Sequence, residues 1–162
     1  MELKFQVQTK VQKPLDEVFD AVYNPEKLSG YFTTAGSNGP LDEGTTVTWS
    51  WHDYPGSYPV SVIKTVPNEL IVFEWEVTGG GYNTRTEISF EALNPDETLV
   101  KITESGWEEN ERGLKESYGN CFGWTQMICS LKAYLEYGVN LRKGAFEGLF
   151  KPSDQNKASK SA

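Results

Sequence analysis

Apolar and polar positions alternate at the start of the chain. Leu3, Phe5, Val7, Thr9 and Val11 form one face of a nine-residue segment, and the residues between them are polar. A period of two residues is typical of an antiparallel strand that buries one face. The sequence therefore predicts a half-buried first strand over residues 3–11.

The pattern then changes to helical spacing in two short segments. Pro14 opens the first, over residues 14–22, with acidic residues in its first turn and apolar residues three or four positions apart. Asn24 ends this helix, and a second short helix is predicted from Pro25 to about Phe32. Residues 33–44 contain three glycines and a proline, which is typical of a loop.

Five further strands are predicted in the middle of the chain. Short apolar or alternating segments cover residues 45–51, 57–66, 70–78, 84–92 and 98–105, and turn residues separate them. Connections this short join antiparallel neighbours, so these five strands are expected to form a meander.

A long amphipathic helix is predicted over residues 116–137, after a charged stretch over 108–116 that is interpreted as a solvated loop or helix start. Its apolar stripe consists of Trp124, Met127, Ile128, Leu131 and Leu135. Residues 139–150 are a candidate for a shorter helix, and residues 151–162 are expected to be a disordered polar tail. We therefore expect a single domain over residues 1–150.

This order of elements predicts an α+β fold. One strand, two short helices, five strands and a long helix give a six-stranded antiparallel sheet with one face to cover. The long helix has the length, about 30 Å, to lie across that face. Because such a sheet twists strongly around the helix, we expect a cavity between the two.

Composition and charge exclude several classes of function for this protein. Of the 162 residues, 38% are hydrophobic and 23% are charged, as in an ordinary globular protein. No apolar run approaches the ~20 residues of a membrane span, and the N-terminus does not resemble a signal peptide, so a cytoplasmic location is expected. A net charge of −8 argues against nucleic acid and anionic membranes as partners.

The cysteines and the histidine limit the chemistry further. Cys121 and Cys129 would lie roughly 12 Å apart on the long helix, too far for a disulfide, and are interpreted as core residues. His52 is the one histidine, so zinc or iron sites built on paired histidines are excluded. It follows Trp51 at the end of a strand and is expected to face solvent. We therefore expect no metal and no cofactor.

Five strings of residues occur in an order that points to a known family. They are PLDEVF at 14–19, NPEKL at 24–28, LIVFEW at 70–75, ITESGW at 102–107, and the helix that starts at Gly123-Trp124. Together they resemble the SRPBCC superfamily, with the START and birch-pollen-allergen (Bet v-type) helix-grip fold. Within it, the chain is most similar to the AHSA-like bacterial branch, named after the activator of heat-shock-chaperone ATPase. The resemblance covers about residues 3–140.

This resemblance implies a deep, mostly apolar pocket between the long helix and the inner face of the sheet. Members of the superfamily bind lipids, sterols, flavonoids, polyketides or hormones, and a few catalyse cyclisation or hydrolysis in the pocket. We therefore predict that the protein binds a small hydrophobic ligand, lipid-like or aromatic, without a cofactor.

Alternation along the strands and the stripe on the long helix identify the candidate pocket residues. Large side chains share the inward faces of the strands, which suits planar apolar ligands. The predicted ligand-binding residues are Trp49, Trp51, Phe73, Trp75, Thr86, Ile88, Phe90, Ile102, Glu104, Trp124, Ile128 and Leu131. The alternative for each apolar residue is that it simply fills the core.

Glu104 is the candidate for chemistry, because it shares the inward face of Val100 and Ile102. A carboxylate there must be paired or hydrogen-bonded, or its pKa must rise. It would anchor a ligand hydroxyl or act as a general base. The alternative is a structural contact with Arg85, Lys64 or a tyrosine hydroxyl, or a rim position that faces water.

Two other functions stay open. One is a cofactor-independent cyclase or hydrolase that uses Glu104, or a tyrosine such as Tyr31 or Tyr118, as acid or base. The other is a co-chaperone-like module that binds a protein partner, an ATPase, through its surface. Three consecutive glycines at 79–81 predict a flexible hairpin at the pocket mouth. The chain is expected to be a monomer or a weak dimer.

Overall fold

The computed structural model describes residues 1–150, which fold into one antiparallel sheet and three helices. In chain order the elements are β1 (Lys4–Val11), α1 (Leu15–Tyr23), α2 (Pro25–Leu28), β2 (Gly36–Ser37), β3 (Thr46–Trp51), β4 (Tyr54–Val66), β5 (Leu70–Glu76), β6 (Asn83–Asn94), β7 (Glu97–Ser105) and α3 (Glu111–Tyr137). The predicted polar tail, residues 151–162, lies outside the described residues. That residues 1–150 form a single domain stays a prediction.

The strands follow the order β1-β7-β6-β5-β4-β3-β2, with antiparallel neighbours throughout. Strands β3 to β7 form the predicted meander, and β1 joins its free edge at β7. The predicted sheet has six strands, whereas the described residues form seven. The additional strand is β2, whose two residues pair with Ser50 and Trp49 of β3. Two residues are too few to show an alternating pattern, so the sequence does not reveal this strand.

The turn between β3 and β4 is tighter than predicted. Strand β4 begins at Tyr54 rather than at residue 57, and Trp51 pairs directly with Tyr54 across a register shift. Pro55 and Gly56, which look like turn residues, lie within β4 at this register shift. As a consequence, Tyr54 and Tyr58 belong to the sheet.

Helix α3 is longer than predicted because it starts at Glu111 rather than at residue 116. The Asn110 side chain accepts a hydrogen bond from the backbone N–H of Gly113 at 2.8 Å, which caps the first turn. The helix ends at Gly138, which has a φ of 66° in the left-handed region. Its 27 residues give a length of about 40 Å, enough to cross the whole sheet.

The candidate helix over residues 139–150 is not formed, and this prediction is wrong. The segment consists of turns without helix or strand. Gly144 and Gly148 have φ values of 74° and 76°, which interrupt a right-handed helix. Helix α2 is also shorter than predicted, since Tyr31 and Phe32 lie in turns after Leu28.

Cys121 and Cys129 are both free thiols on α3, as their spacing predicts. Their interpretation as core residues is wrong, because Cys121 is partly exposed and Cys129 is exposed. Both lie beside the buried stripe of α3, which contains Trp124, Ile128 and Leu131. A helix has several residues outside its buried stripe, and small apolar side chains are tolerated there.

Candidate ligand cavity

A cavity of about 680 Å³ lies between α3 and the end of the sheet formed by β3, β4 and β5. Ten of its lining residues are aromatic. They are Tyr31, Phe32, Trp51, Tyr54, Tyr58, Trp75, Phe122, Trp124, Phe146 and Phe150. Pockets of this size and apolar character hold small organic molecules.

Three of the predicted ligand-binding residues, Trp51, Trp75 and Trp124, line this cavity. The other nine are buried beside it or behind it. They are Trp49, Phe73, Thr86, Ile88, Phe90, Ile102, Glu104, Ile128 and Leu131. Any contact of these nine with a ligand stays a prediction.

The inner face of β6 and β7 is filled by side chains from the helices. Helix α1 packs against both strands. Phe19 of α1 lies edge-on against Phe90 of β6, with ring centroids 5.2 Å apart. Ile88 and Ile102 beneath them have no exposed surface. The cavity is therefore confined to the part of the sheet that α1 does not cover.

Aromatic rings from the sheet, from α3 and from the turn after α2 form a packed wall of the cavity. Trp75 and Trp124 lie 5.6 Å apart between ring centroids. Trp49 lies behind them, 5.8 Å from Trp75, and is 1% exposed. Phe32 meets Trp51 edge-on at 5.3 Å. Contacts between aromatic edges and faces favour these arrangements, so the wall is preorganised.

Glu104 points inward from β7, as its position on the strand predicts, and has no exposed surface. Its Oε1 atom accepts hydrogen bonds from Trp75 Nε1 at 2.9 Å, Thr84 Oγ1 at 2.6 Å and Asn120 Nδ2 at 3.0 Å. Its Oε2 atom accepts one from Trp124 Nε1 at 2.7 Å. Burial raises the pKa of Glu104, and these four hydrogen bonds act in the opposite direction.

The partners of Glu104 differ from those expected. Arg85 instead contacts Glu74 and Glu87 on the outer face of the sheet, at 3.6 and 3.4 Å. Lys64 is exposed. Tryptophan N–H groups can only donate a hydrogen bond, so a buried carboxylate between two indoles is a partner that suits them.

Charged residues surround the mouth of the cavity. Arg112 of α3 donates to Glu116 Oε1 at 2.9 Å and to the carbonyl oxygen of Gly80 at 3.0 Å. Gly79 lines the cavity, so the glycine hairpin lies at the mouth as predicted. Of the two interpretations of the charged stretch over 108–116, the helix start is correct from Glu111 onward, and Lys115 and Glu116 line the cavity.

The other candidate groups offer little for acid-base chemistry. His52 is exposed, and its Nδ1 atom lies 2.6 Å from Thr34 Oγ1. Tyr31 lines the cavity, but its hydroxyl donates to the carbonyl oxygen of Ala21 at 3.0 Å, and burial raises its pKa. Tyr118 is 67% exposed and lies outside the lining.

Several lining residues are absent from the sequence-based set. Arg142, Phe146 and Phe150 come from the segment after α3, and Tyr54 comes from the stretch that resembles a turn. The aromatic residues at 146 and 150 were the available signal, because apolar rings in a polar segment need a surface to contact.

Two properties concern the whole described region. Within residues 1–150, no helix is long and apolar enough to cross a membrane. In the same residues, no cluster of three or more His, Cys, Asp or Glu side chains could hold a metal ion. The cytoplasmic location stays a prediction.

Comparisons with known proteins show which family and which solved structures this chain is similar to. The family model for "Activator of Hsp90 ATPase homolog 1-like protein" matches residues 12–136. No curated protein matches the chain. The solved structure of protein SSP2350 from Staphylococcus saprophyticus is similar, with 28% identity and a TM-score of 0.73 over 86% of this chain and 96% of that one.

Two further solved structures share the fold. DynU16, from the dynemicin biosynthetic locus, is 21% identical with a TM-score of 0.73, over 83% of this chain and 48% of that one. The Aha1 dimer from Colwellia psychrerythraea is 20% identical with a TM-score of 0.68, over 84% and 98%. The predicted helix-grip fold and AHSA-like resemblance are confirmed, and both are consistent with ligand binding.

Proposed function

The chain belongs to the family of Activator of Hsp90 ATPase homolog 1-like proteins, and on that premise we propose that it binds a small hydrophobic ligand between α3 and the sheet. The observation that carries the proposal is the aromatic cavity of about 680 Å³. Ten of the chain's 21 aromatic residues line it. A cavity of this kind retains apolar molecules by removing their surface from water.

The lining favours a planar aromatic ligand, such as a flavonoid-like or polyketide-like molecule, over a flexible lipid chain. Trp51, Trp75 and Trp124 come from three different elements, β3, β5 and α3, and all border the same space. Aromatic rings interact with one another through stacked and edge-on contacts that an alkyl chain cannot make. The polar side chains among the lining, such as Asn120 and Gln126, would orient such a ligand.

The contacts of Glu104 favour binding over catalysis. Both carboxylate oxygens already accept hydrogen bonds, and Glu104 is not among the lining residues. A general base must reach the proton that it removes. We infer that Glu104 is a positioning residue, which holds the Trp75 and Trp124 rings in place through their indole N–H groups. The cyclase or hydrolase alternative requires Glu104 to leave these partners.

Tryptophan fluorescence offers a direct test of binding. Flavonoids, aromatic polyketides, sterols and fatty acids would be titrated into the protein, with quenching of the cavity tryptophans as the signal. We expect saturable quenching with the planar aromatic classes. The absence of saturable quenching with every class would contradict the proposal and direct attention to the co-chaperone-like alternative.

Two neighbouring positions on α3 give a matched pair for this test. Phe122 lines the cavity and is 57% exposed, whereas Tyr118, one turn earlier, is 67% exposed and does not line it. We expect Phe122→Ala to weaken binding several-fold and Tyr118→Ala to leave it unchanged. Ligand turnover by the wild type that Glu104→Gln abolishes would instead support the enzymatic alternative.

A further inference from the structure

The segment after α3 crosses the cavity from the helix to the sheet. Gly138 ends α3 in the left-handed conformation, and the chain then returns toward Phe122, near the middle of the helix. Phe146 meets Phe122 of α3 with ring centroids 6.3 Å apart, and Phe150 meets Tyr54 of β4 at 4.7 Å. Residues 139–150 therefore connect the two opposite walls of the cavity.

A buried ion pair attaches this segment to the β3–β4 turn. Arg142 Nη1 lies 2.6 Å from Asp53 Oδ2, and the Asp53 side chain has no exposed surface. The same oxygen accepts the backbone N–H of Phe146 at 3.3 Å. The Arg142 guanidinium lies 4.5 Å from the centre of the Phe146 ring, in a cation–π contact. Asp53 thus fixes both the backbone and the ring position of Phe146.

A second contact lies at the outer edge of the segment. Glu147 Oε1 lies 3.4 Å from His52 Nε2, next to Asp53 in the same turn. The segment is thus attached to the β3–β4 turn at two successive residues. Arg142, Phe146 and Phe150 all line the cavity, so these attachments determine where the cavity ends.

We propose that residues 139–150 complete the binding site and that Phe146 and Phe150 limit the size of the ligand it accepts. This inference rests on the proposed function. The family model ends at residue 136, so family membership assigns this segment no role. The other lining residues belong to α3, the sheet, the turn after α2 and the glycine hairpin, and several of them, such as Phe32 and Trp124, also form the core. Phe146 and Phe150 are partly exposed at the outer end and lie outside the core cluster, so this wall can change without repacking the core.

The Phe146 and Phe150 rings occupy the outer end of the cavity and so exclude the additional ring of a longer ligand. Replacing Phe146 and Phe150 with alanine removes both rings from the outer end of the cavity and leaves the Trp75–Trp124 wall in place. A ligand that already fits gains nothing from the added space, whereas a longer one gains the burial of its additional ring. Apolar pockets discriminate between ligands of different size by about 10- to 200-fold.

The experiment compares two dyes in the full chain. Anilinonaphthalene sulfonate and its covalent dimer carry the same chromophore at different sizes, and energy transfer from the cavity tryptophans reports their binding. We define size selectivity as the Kd of the dimer divided by the Kd of the single dye. We expect Phe146→Ala/Phe150→Ala to lower this ratio by about tenfold.

Two variants separate this effect from a general loss of structure. Asp53→Asn leaves the rings present but releases their attachment, so we expect it to lower the ratio by a smaller factor. Leu149→Ala, at an exposed position of the same segment outside the lining, is expected to leave the ratio unchanged. A merely structural role for Asp53 would weaken both dyes equally and would not change the ratio.

The outcomes distinguish this inference from the proposed function. If the wild type binds neither dye with energy transfer, both fail. If it binds the single dye but the double variant keeps the wild-type ratio, the size-limiting role of the segment is wrong and ligand binding in the cavity stands.

Discussion

Two parts of the same sheet face differ in how they are covered. The inner face of β6 and β7, which we call the filled half, is covered by α1 and contains Ile88 and Phe90 at 0% and 5% exposure. The cavity-lining part of β3, β4 and β5, which we call the open half, is covered by α3 and residues 139–150. Both halves carry large apolar side chains. The position of the covering helices, rather than the apolar character of the strands, therefore determines where a ligand can bind.

The largest expected effect comes from a matched pair of phenylalanines, one in the filled half and one on α3 beside the open half. Phe90→Ala in the filled half should lower the free energy of unfolding by about 3–5 kcal/mol, because it leaves a cavity in a packed core. Phe122→Ala beside the open half should change it by no more than about 0.5 kcal/mol, as for other exposed positions. Urea unfolding of the two variants measures the difference. Equal losses would remove the distinction between the halves.

Glu104 lies at the boundary between the halves, where β6, β7 and α3 meet. Glu104→Gln should lower the free energy of unfolding at pH 7 by about 1–3 kcal/mol, because the amide keeps one acceptor oxygen but places its NH2 group against the indole N–H of either Trp75 or Trp124. Ligand affinity should fall as well, since one of the two cavity indoles loses its acceptor. Glu87→Gln, on the exposed face of β6, is the control and should change neither quantity. An unchanged affinity in Glu104→Gln would argue against the positioning role.

The pH dependence of stability gives a second test of Glu104. Burial raises the pKa of Glu104 above the ordinary glutamate value, so the folded protein holds the proton more tightly than the unfolded chain. The contribution of Glu104 to stability is then complete below the ordinary glutamate pKa and is lost as pH rises through the raised value.

We therefore expect the difference in unfolding free energy between the wild type and Glu104→Gln to be largest in acid and to decrease toward neutral pH. Urea titrations of both proteins at several pH values measure it. A difference that increases with pH would mean that the hydrogen bonds outweigh burial and lower the pKa.

The smallest expected change in unfolding free energy is at Arg112, at the mouth of the cavity. Arg112→Ala removes the hydrogen bonds to the carbonyl oxygens of Thr78 and Gly80. The unfolding free energy should stay within error of the wild type, because exposed ion pairs contribute little. Amide hydrogen exchange at Gly80 and Gly81 should become faster, while exchange in β6 stays the same. Unchanged exchange at the glycines would show that Arg112 does not hold the mouth.

The strand pattern predicts most of the sheet because alternation has a direct physical cause. Side chains of consecutive residues point to opposite faces, so the inward positions of Trp51, Trp75 and Glu104 follow from the sequence. The same logic cannot say which inward residues border empty space. Phe90 and Trp75 both face inward, and only the placement of Phe19 above Phe90 distinguishes them.

Contacts between distant parts of the chain explain what the sequence does not predict. Asp53 and Arg142 are 89 residues apart, and no local pattern pairs them. The partners of Glu104 come from β5, β6 and α3. Tryptophan and asparagine side chains that donate hydrogen bonds to a carboxylate are less evident in a sequence than arginine or lysine side chains that do so. The turn-like residues after His52 and the glycines of 139–150 also conceal that Tyr54, Phe146 and Phe150 line the cavity.

The five tryptophans allow the most direct test of where a ligand binds. Trp51, Trp75 and Trp124 line the cavity, whereas Trp107 packs against Phe5 outside it, with ring centroids 5.4 Å apart. The measurement is the indole N–H spectrum of the nitrogen-15-labelled protein during titration with a planar aromatic ligand. If the ligand binds in the open half, we expect saturable shifts at the three cavity indoles and none at Trp107. Shifts of equal size at all of the indoles, or none at the cavity indoles, would contradict ligand binding in the open half.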